Sequence, residues 1–73
     1  MKDYKFIIAQ LRKKYPRAIC SIGMRYYQAH DFEPIKLTYG ISVFDYNLED
    51  YIIIQDTFST ETELENYIKT LEL

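Results

Sequence analysis

Residues 17–44 read RAICSIGMRYYQAHDFEPIKLTYGISVF, and the fold turns on them. Ala18, Cys20, Ile22, Met24 and Tyr26 alternate with Ile19, Ser21, Gly23, Arg25 and Tyr27, a period of two that predicts a strand over 17–27. A polar segment, 28–34, interrupts the pattern and ends at Pro34. Alternation then resumes, with Ile35, Leu37, Tyr39, Ile41 and Val43 on one face and Lys36, Thr38, Gly40, Ser42 and Phe44 on the other. So short a connection favours an antiparallel pair, because parallel neighbours need a crossover of a dozen residues or more.

Downstream, residues 45–50 make a turn, and Tyr51, Ile52, Ile53 and Ile54 form a β-branched run too short for a helix, which predicts a third strand. Thr60 and Glu63 have capping-box spacing, and Leu64, Tyr67, Ile68 and Leu71 follow as one helical stripe. Upstream, Tyr4, Ile7, Ile8, Leu11 and Tyr15 recur at helical spacing, with Asp3 placed to cap the first turn and Pro16 to end the last. The expected fold is α+β: one domain over 1–73, ordered α-β-β-β-α, with a three-stranded antiparallel meander and both helices on one face. Alternation then leaves Ile19, Tyr27, Phe44, Tyr46, Tyr51 and Ile53 on a face that no third layer covers.

Composition bounds the function. With 48 % apolar and 27 % charged residues the chain can fold, but 73 residues allow only a thin core. The single Cys20 can form no internal disulfide, which a reducing compartment permits. The start, Met1, Lys2, Asp3, Tyr4 and Lys5, lacks the apolar run of a signal peptide, and nothing approaches the ~20 apolar residues of a membrane helix. A cytoplasmic protein without membrane attachment is expected.

Catalysis has little to work with. Cys20 lies between Ala18 and Ile22 on an apolar face, where a thiol is inert. His30, Asp31 and Glu33 share the polar loop and read as a solvated turn rather than a metal site. Gly23 and Gly40 sit inside strands, where glycine marks a bulge, a bend or close approach of another backbone rather than a phosphate cradle. Catalytic, metal-binding and cofactor-binding residues are therefore expected to be absent.

Charge is distributed unevenly. Residues 1–17 carry six basic groups against Asp3, residues 18–44 balance two against two, and residues 45–73 carry eight acids against Lys69. Together with eight Tyr and four Phe in so short a chain, this points to contact. The expectation is a non-catalytic protein-interaction module, a small inhibitor or regulator, that docks through its acidic C-terminal half and exposed aromatics. Its partner-binding residues would be Tyr27, Phe44, Tyr46, Glu49, Asp50, Tyr51, Ile53, Glu61 and Glu63. One alternative is a homodimer or larger homo-oligomer through the uncovered sheet face. Another is a nucleic-acid contact through Arg12, Lys13, Lys14 and Arg17, weakened by the tendency of such clusters simply to satisfy a helix C-terminus.

The element order, over essentially the whole chain, resembles the double-stranded RNA-binding domain. In that family the loop between the first two strands and the start of the second helix contact the RNA. The family presents lysines entering its second helix, whereas Thr60, Glu61, Thr62 and Glu63 stand here and would repel phosphate. The resemblance thus implies shared architecture and not shared function. In size, net acidity and abundance of Tyr the chain also looks like the small proteins with which phages and mobile elements inhibit host machinery, anti-CRISPR proteins among them.

Overall fold

The computed structural model describes residues 4–73. Asp3, expected to cap the first helix, lies outside the described residues. The elements are α1 (Lys5–Lys14), β1 (Ala18–Tyr27), β2 (Lys36–Asp45), β3 (Asp50–Phe58) and α2 (Glu61–Thr70). The strands form one antiparallel sheet in the order β1-β2-β3, so the expected α-β-β-β-α meander is the observed one.

Each boundary has a local cause. Pro16 disfavours the helical region for Tyr15, whose φ of −130° and ψ of 75° end α1. The Tyr15 carbonyl then accepts from the Ala18 N–H at 3.1 Å, turning the chain into β1. Thr60 caps α2, its hydroxyl accepting from the Glu63 N–H at 3.2 Å, while the Glu63 carboxylate accepts from the Ser59 N–H at 3.3 Å. This is the reciprocal capping arrangement predicted from the spacing, displaced by one residue on the return bond.

β1 and β2 pair without interruption from Ala18↔Asp45 to Tyr27↔Lys36. Residues directly opposite share a face, so Cys20, Ile22, Ile41 and Val43 point to one side. There they meet Leu11 of α1 and Leu64 and Ile68 of α2, and both helices lie on that face. The core is as thin as the length implies: Tyr4, Leu11, Ile41, Val43, Leu64 and Ile68 are its buried apolar side chains among the described residues.

β3 departs from the sequence reading. It runs to Phe58 rather than stopping at Ile54, and it contains two bulges. Between Val43↔Ile53 and Phe44↔Tyr51 the extra residue is Ile52, so Ile52 and Ile53 both pack against the core. Ile53, expected on the uncovered face, is therefore on the helix side, because the inserted residue inverts the parity of the strand beyond it. Tyr51 keeps the uncovered face, and Ile54, opposite Ser42, joins it there. The second bulge sets Asp56 and Thr57 against Gly40 alone. A Cβ on Gly40 would lie 2.4 Å from the Asp56 Cα, so this glycine does mark close approach of another backbone. Gly23, directly opposite Gly40, has a φ of +138°, which side chains rarely adopt.

Tyr4 links the two helices. Its hydroxyl is buried without a hydrogen-bond partner, and the Glu61 and Glu65 carboxylates lie near enough to act on it. Burial first, and then the Glu61 and Glu65 carboxylates, push its pKa above the ordinary 10.0. The folded state thus holds the phenol proton more tightly than the unfolded chain. This contribution is complete below pH 10 and lost as pH rises toward the folded pKa. Tyr4→Phe, which also removes an unpaired polar group, is expected to match or exceed wild-type stability by up to ~1 kcal/mol at pH 7. Urea titrations at pH 7 and pH 10.5 check it, the advantage of the variant widening at the higher pH.

Candidate interaction surface

On the face away from the helices, Phe44 of β2 is the centre of an aromatic cluster. Tyr51 of β3 meets it edge-on, with ring centroids 5.0 Å apart and planes at 74°. Tyr46, in the β2–β3 turn, meets it at 5.8 Å and 89°. Both arrangements suit the ring quadrupole and hold the rings in fixed relative positions. Ile19, directly across from Phe44 on β1, and Ile54 extend the patch. Tyr46 is 61 % exposed and Tyr51 51 %, so the cluster is organised yet uncovered.

The turn at this end is acidic and well braced. One Asp45 carboxylate oxygen accepts from the N–H groups of Asn47 at 2.8 Å and Leu48 at 3.1 Å, fixing residues 46–48 as an Asx-type turn. Asp50 accepts from the Tyr51 N–H at 2.7 Å. Glu49 between them takes a left-handed φ of 53°. Asp45 and Asp50 are direct cross-strand partners that close the hairpin, each carboxylate engaged by backbone N–H groups of the turn. Leu48, 70 % exposed at the turn, adds apolar area beside the acids.

The residues expected at a partner site do not all converge. Phe44, Tyr46, Glu49, Asp50 and Tyr51 come together at one end of the sheet. Tyr27 lies eight residues along β1 from Ile19, about 26 Å at strand rise, and instead lines an open groove of ≈ 400 Å³ with Lys36, Leu37, Thr38, Thr57 and Ser59. Glu61 and Glu63 begin α2, on the opposite face of the sheet, where Glu63 is engaged in the cap and Glu61 faces Tyr4. Ile53 is in the core layer. Leu48, in a turn, belongs to the surface but was not anticipated, and Ile54 takes the place expected of Ile53, the exchange that a one-residue slip of the third strand produces.

No protein-family model matches the chain, and no curated protein or solved structure matches it. What the surface can do follows from its own chemistry.

Elsewhere the chemistry-bearing groups stay apart. Among the described residues no three of His, Cys, Asp and Glu gather as metal ligands. His30 stacks on Phe32 at 5.4 Å, in an exposed loop. Burial raises the pKa of the half-buried Cys20 thiol, and Arg12 opposes this only in part. Arg12, Lys13 and Lys14 occupy the last turn of α1, where they complement the helix dipole, with the Lys14 ammonium 5.7 Å from the centre of the Tyr15 ring. No helix among the described residues is long and apolar enough to cross a membrane.

Proposed function

We propose that this chain is a non-catalytic protein-binding module, a small inhibitor or regulator, whose docking surface is the Phe44–Tyr46–Tyr51 cluster with the acidic turn beside it. The observation that carries the reading is a pair of exposed Tyr rings, Tyr46 and Tyr51, held edge-on against the partly buried Phe44 on a sheet face that no described element covers. Rigid aromatics of this kind lose little side-chain freedom on binding, which is why Tyr anchors so many interfaces. Glu49 and Asp50, at the turn that adjoins the cluster, favour a basic partner surface and speed its approach. A cytoplasmic setting goes with this reading, supported by the single thiol. Deployment by a phage or mobile element is the biological context it fits best.

The test is affinity capture from the source cell with the full chain as bait, followed by titration of the purified partner. Tyr51→Ala is expected to weaken binding at least ~30-fold, the effect of losing a hot-spot aromatic. Glu49→Lys with Asp50→Lys is expected to slow association and flatten its salt dependence. Glu61→Lys, on the opposite face, should leave both unchanged. Equal binding by wild type and Tyr51→Ala would remove the proposed surface.

A further inference from the structure

The sheet outreaches its helices. Ten-residue strands extend about 33 Å, whereas ten-residue helices cover about 15 Å. The helix layer begins where Tyr4 stands beside Glu61 and Glu65, and β3 ends at Phe58, opposite Tyr39. Beyond that line β1 and β2 continue as a two-stranded arm. Its helix-side floor is Met24, Tyr26 and Leu37, with Tyr26 directly opposite Leu37 and Met24 opposite Tyr39. Nothing among the described residues covers this floor: Tyr26 is 81 % exposed, Leu37 45 % and Met24 43 %. Phe32 at 85 % and Ile35 at 63 % continue the apolar surface into the connecting loop.

The arm is braced rather than loose. The Gln28 side-chain amide donates to the carbonyls of Asp31 at 3.3 Å and Glu33 at 2.7 Å, and the Glu33 N–H donates to the His30 carbonyl at 3.0 Å. An apolar surface held in this way loses little freedom when it docks.

We propose that the occupant of this floor is a second copy of the chain, two arms packing face to face about a two-fold axis. Charge distinguishes it from the aromatic cluster on the other face. The floor itself carries no charged side chain, since Arg25 and Lys36 belong to the opposite face of the arm and Asp31 and Glu33 to the loop beyond it, so it meets its own copy without like-charge repulsion. The Glu49–Asp50 turn meets its own copy acid against acid, which suits that end of the molecule to a basic partner instead. Area agrees. With aromatics contributing ~150–250 Å² each when buried, the five exposed side chains offer about 500 Å² per copy. A symmetric pair then buries about 1,000 Å², the lower bound for a specific interface and the range of a weak, reversible dimer.

Sedimentation equilibrium on the full chain, from about 1 to 500 µM, tests the proposal. Wild type is expected to pass from monomer to dimer across this range. Tyr26→Glu combined with Leu37→Glu should raise the dissociation constant at least tenfold, whereas Tyr46→Glu with Tyr51→Glu should leave it unchanged. Hydrogen exchange on wild type at both ends of the range removes any dependence on how the variants fold. Concentration-dependent protection at 24–27 and 35–37 supports the arm. A monomer at 500 µM overturns the proposal. So does a dimer that protects all of β1 and spares Leu37, which would be edge-to-edge pairing, and so does dimerisation indifferent to the arm substitutions.

Discussion

Gly40→Ala is expected to destabilise the domain by about 3 kcal/mol, the upper end of ordinary overpacking, and to lower the melting temperature by roughly 12–24 °C. The added methyl would stand 2.4 Å from the Asp56 Cα, 2.7 Å from its Cβ and 2.9 Å from the Gln55 carbonyl oxygen. Two of those three atoms are backbone, so no side-chain rotation makes room. β3 must move away, and the bulge at Asp56 and Thr57 moves with it. The Thr38 hydroxyl, buried and donating to the Asp56 carbonyl at 3.0 Å, then loses its shorter bond and keeps only the Arg25 carbonyl at 3.5 Å. Gly23→Ala is the informative contrast. A Cβ there meets nothing within 4 Å, and its cost comes only from the φ of +138°, about 1–3 kcal/mol. Urea denaturation followed by far-ultraviolet circular dichroism separates the two, and a loss below 1 kcal/mol at Gly40 would show that the bulge yields instead of resisting.

The same bulges explain what was legible in the sequence. β1 and β2 pair in strict register over ten residues, so a period-two reading placed every one of their side chains on the correct face. β3 inserts Ile52 and later doubles Asp56 with Thr57, and each insertion inverts the parity beyond it. Period-two reasoning cannot detect an inserted residue, because Tyr51 to Ile54 are all apolar and either register looks satisfactory. It also stopped at Ile54, where Gln55 and Asp56 end the apolar run although the ladder continues to Phe58. The trace left in the sequence was on the neighbouring strand: a glycine in the middle of β2, where only the close approach of β3 requires one.

The surfaces divide in the same way. Phe44, Tyr46 and Tyr51 were recoverable because β2 is regular and Tyr51 precedes the first bulge. Glu61 and Glu63 were grouped with Glu49 and Asp50 by their place in the sequence, yet one pair begins a helix on the covered face and the other belongs to a turn at the far end of the sheet. Charge totals by segment carry no information about faces. The arm was missed for a different reason. Periodicity says which side of a sheet a residue faces but not how far the helices reach along it. The contrast between a rise of 1.5 Å per helical residue and about 3.3 Å per strand residue already implied that equal residue counts leave half of the inner face bare.

That short reach also determines where the domain is most vulnerable. α2 is held over β2 and β3 by Leu64 and Ile68, assisted by Tyr67 and Leu71, and Leu64 is fully buried. Leu64→Ala is expected to cost about 3 kcal/mol, combining lost transfer energy with the cavity left between α2, Ile41 and Val43. For a domain of this length, total stability of the order of 4–11 kcal/mol makes that about a quarter or more of the whole. The six buried apolar side chains are spread over two helices, the residue that precedes the first of them and one strand, so few neighbours are available to collapse into the space. The same truncation at Leu48, 70 % exposed, should change stability by no more than ~0.5 kcal/mol. Unfolding of both variants in urea, with the slope compared as well as the midpoint, checks this. An unchanged slope and a lowered midpoint for Leu64→Ala mark loss of core packing within one cooperative unit. A reduced slope would instead mean that α2 detaches before the sheet unfolds.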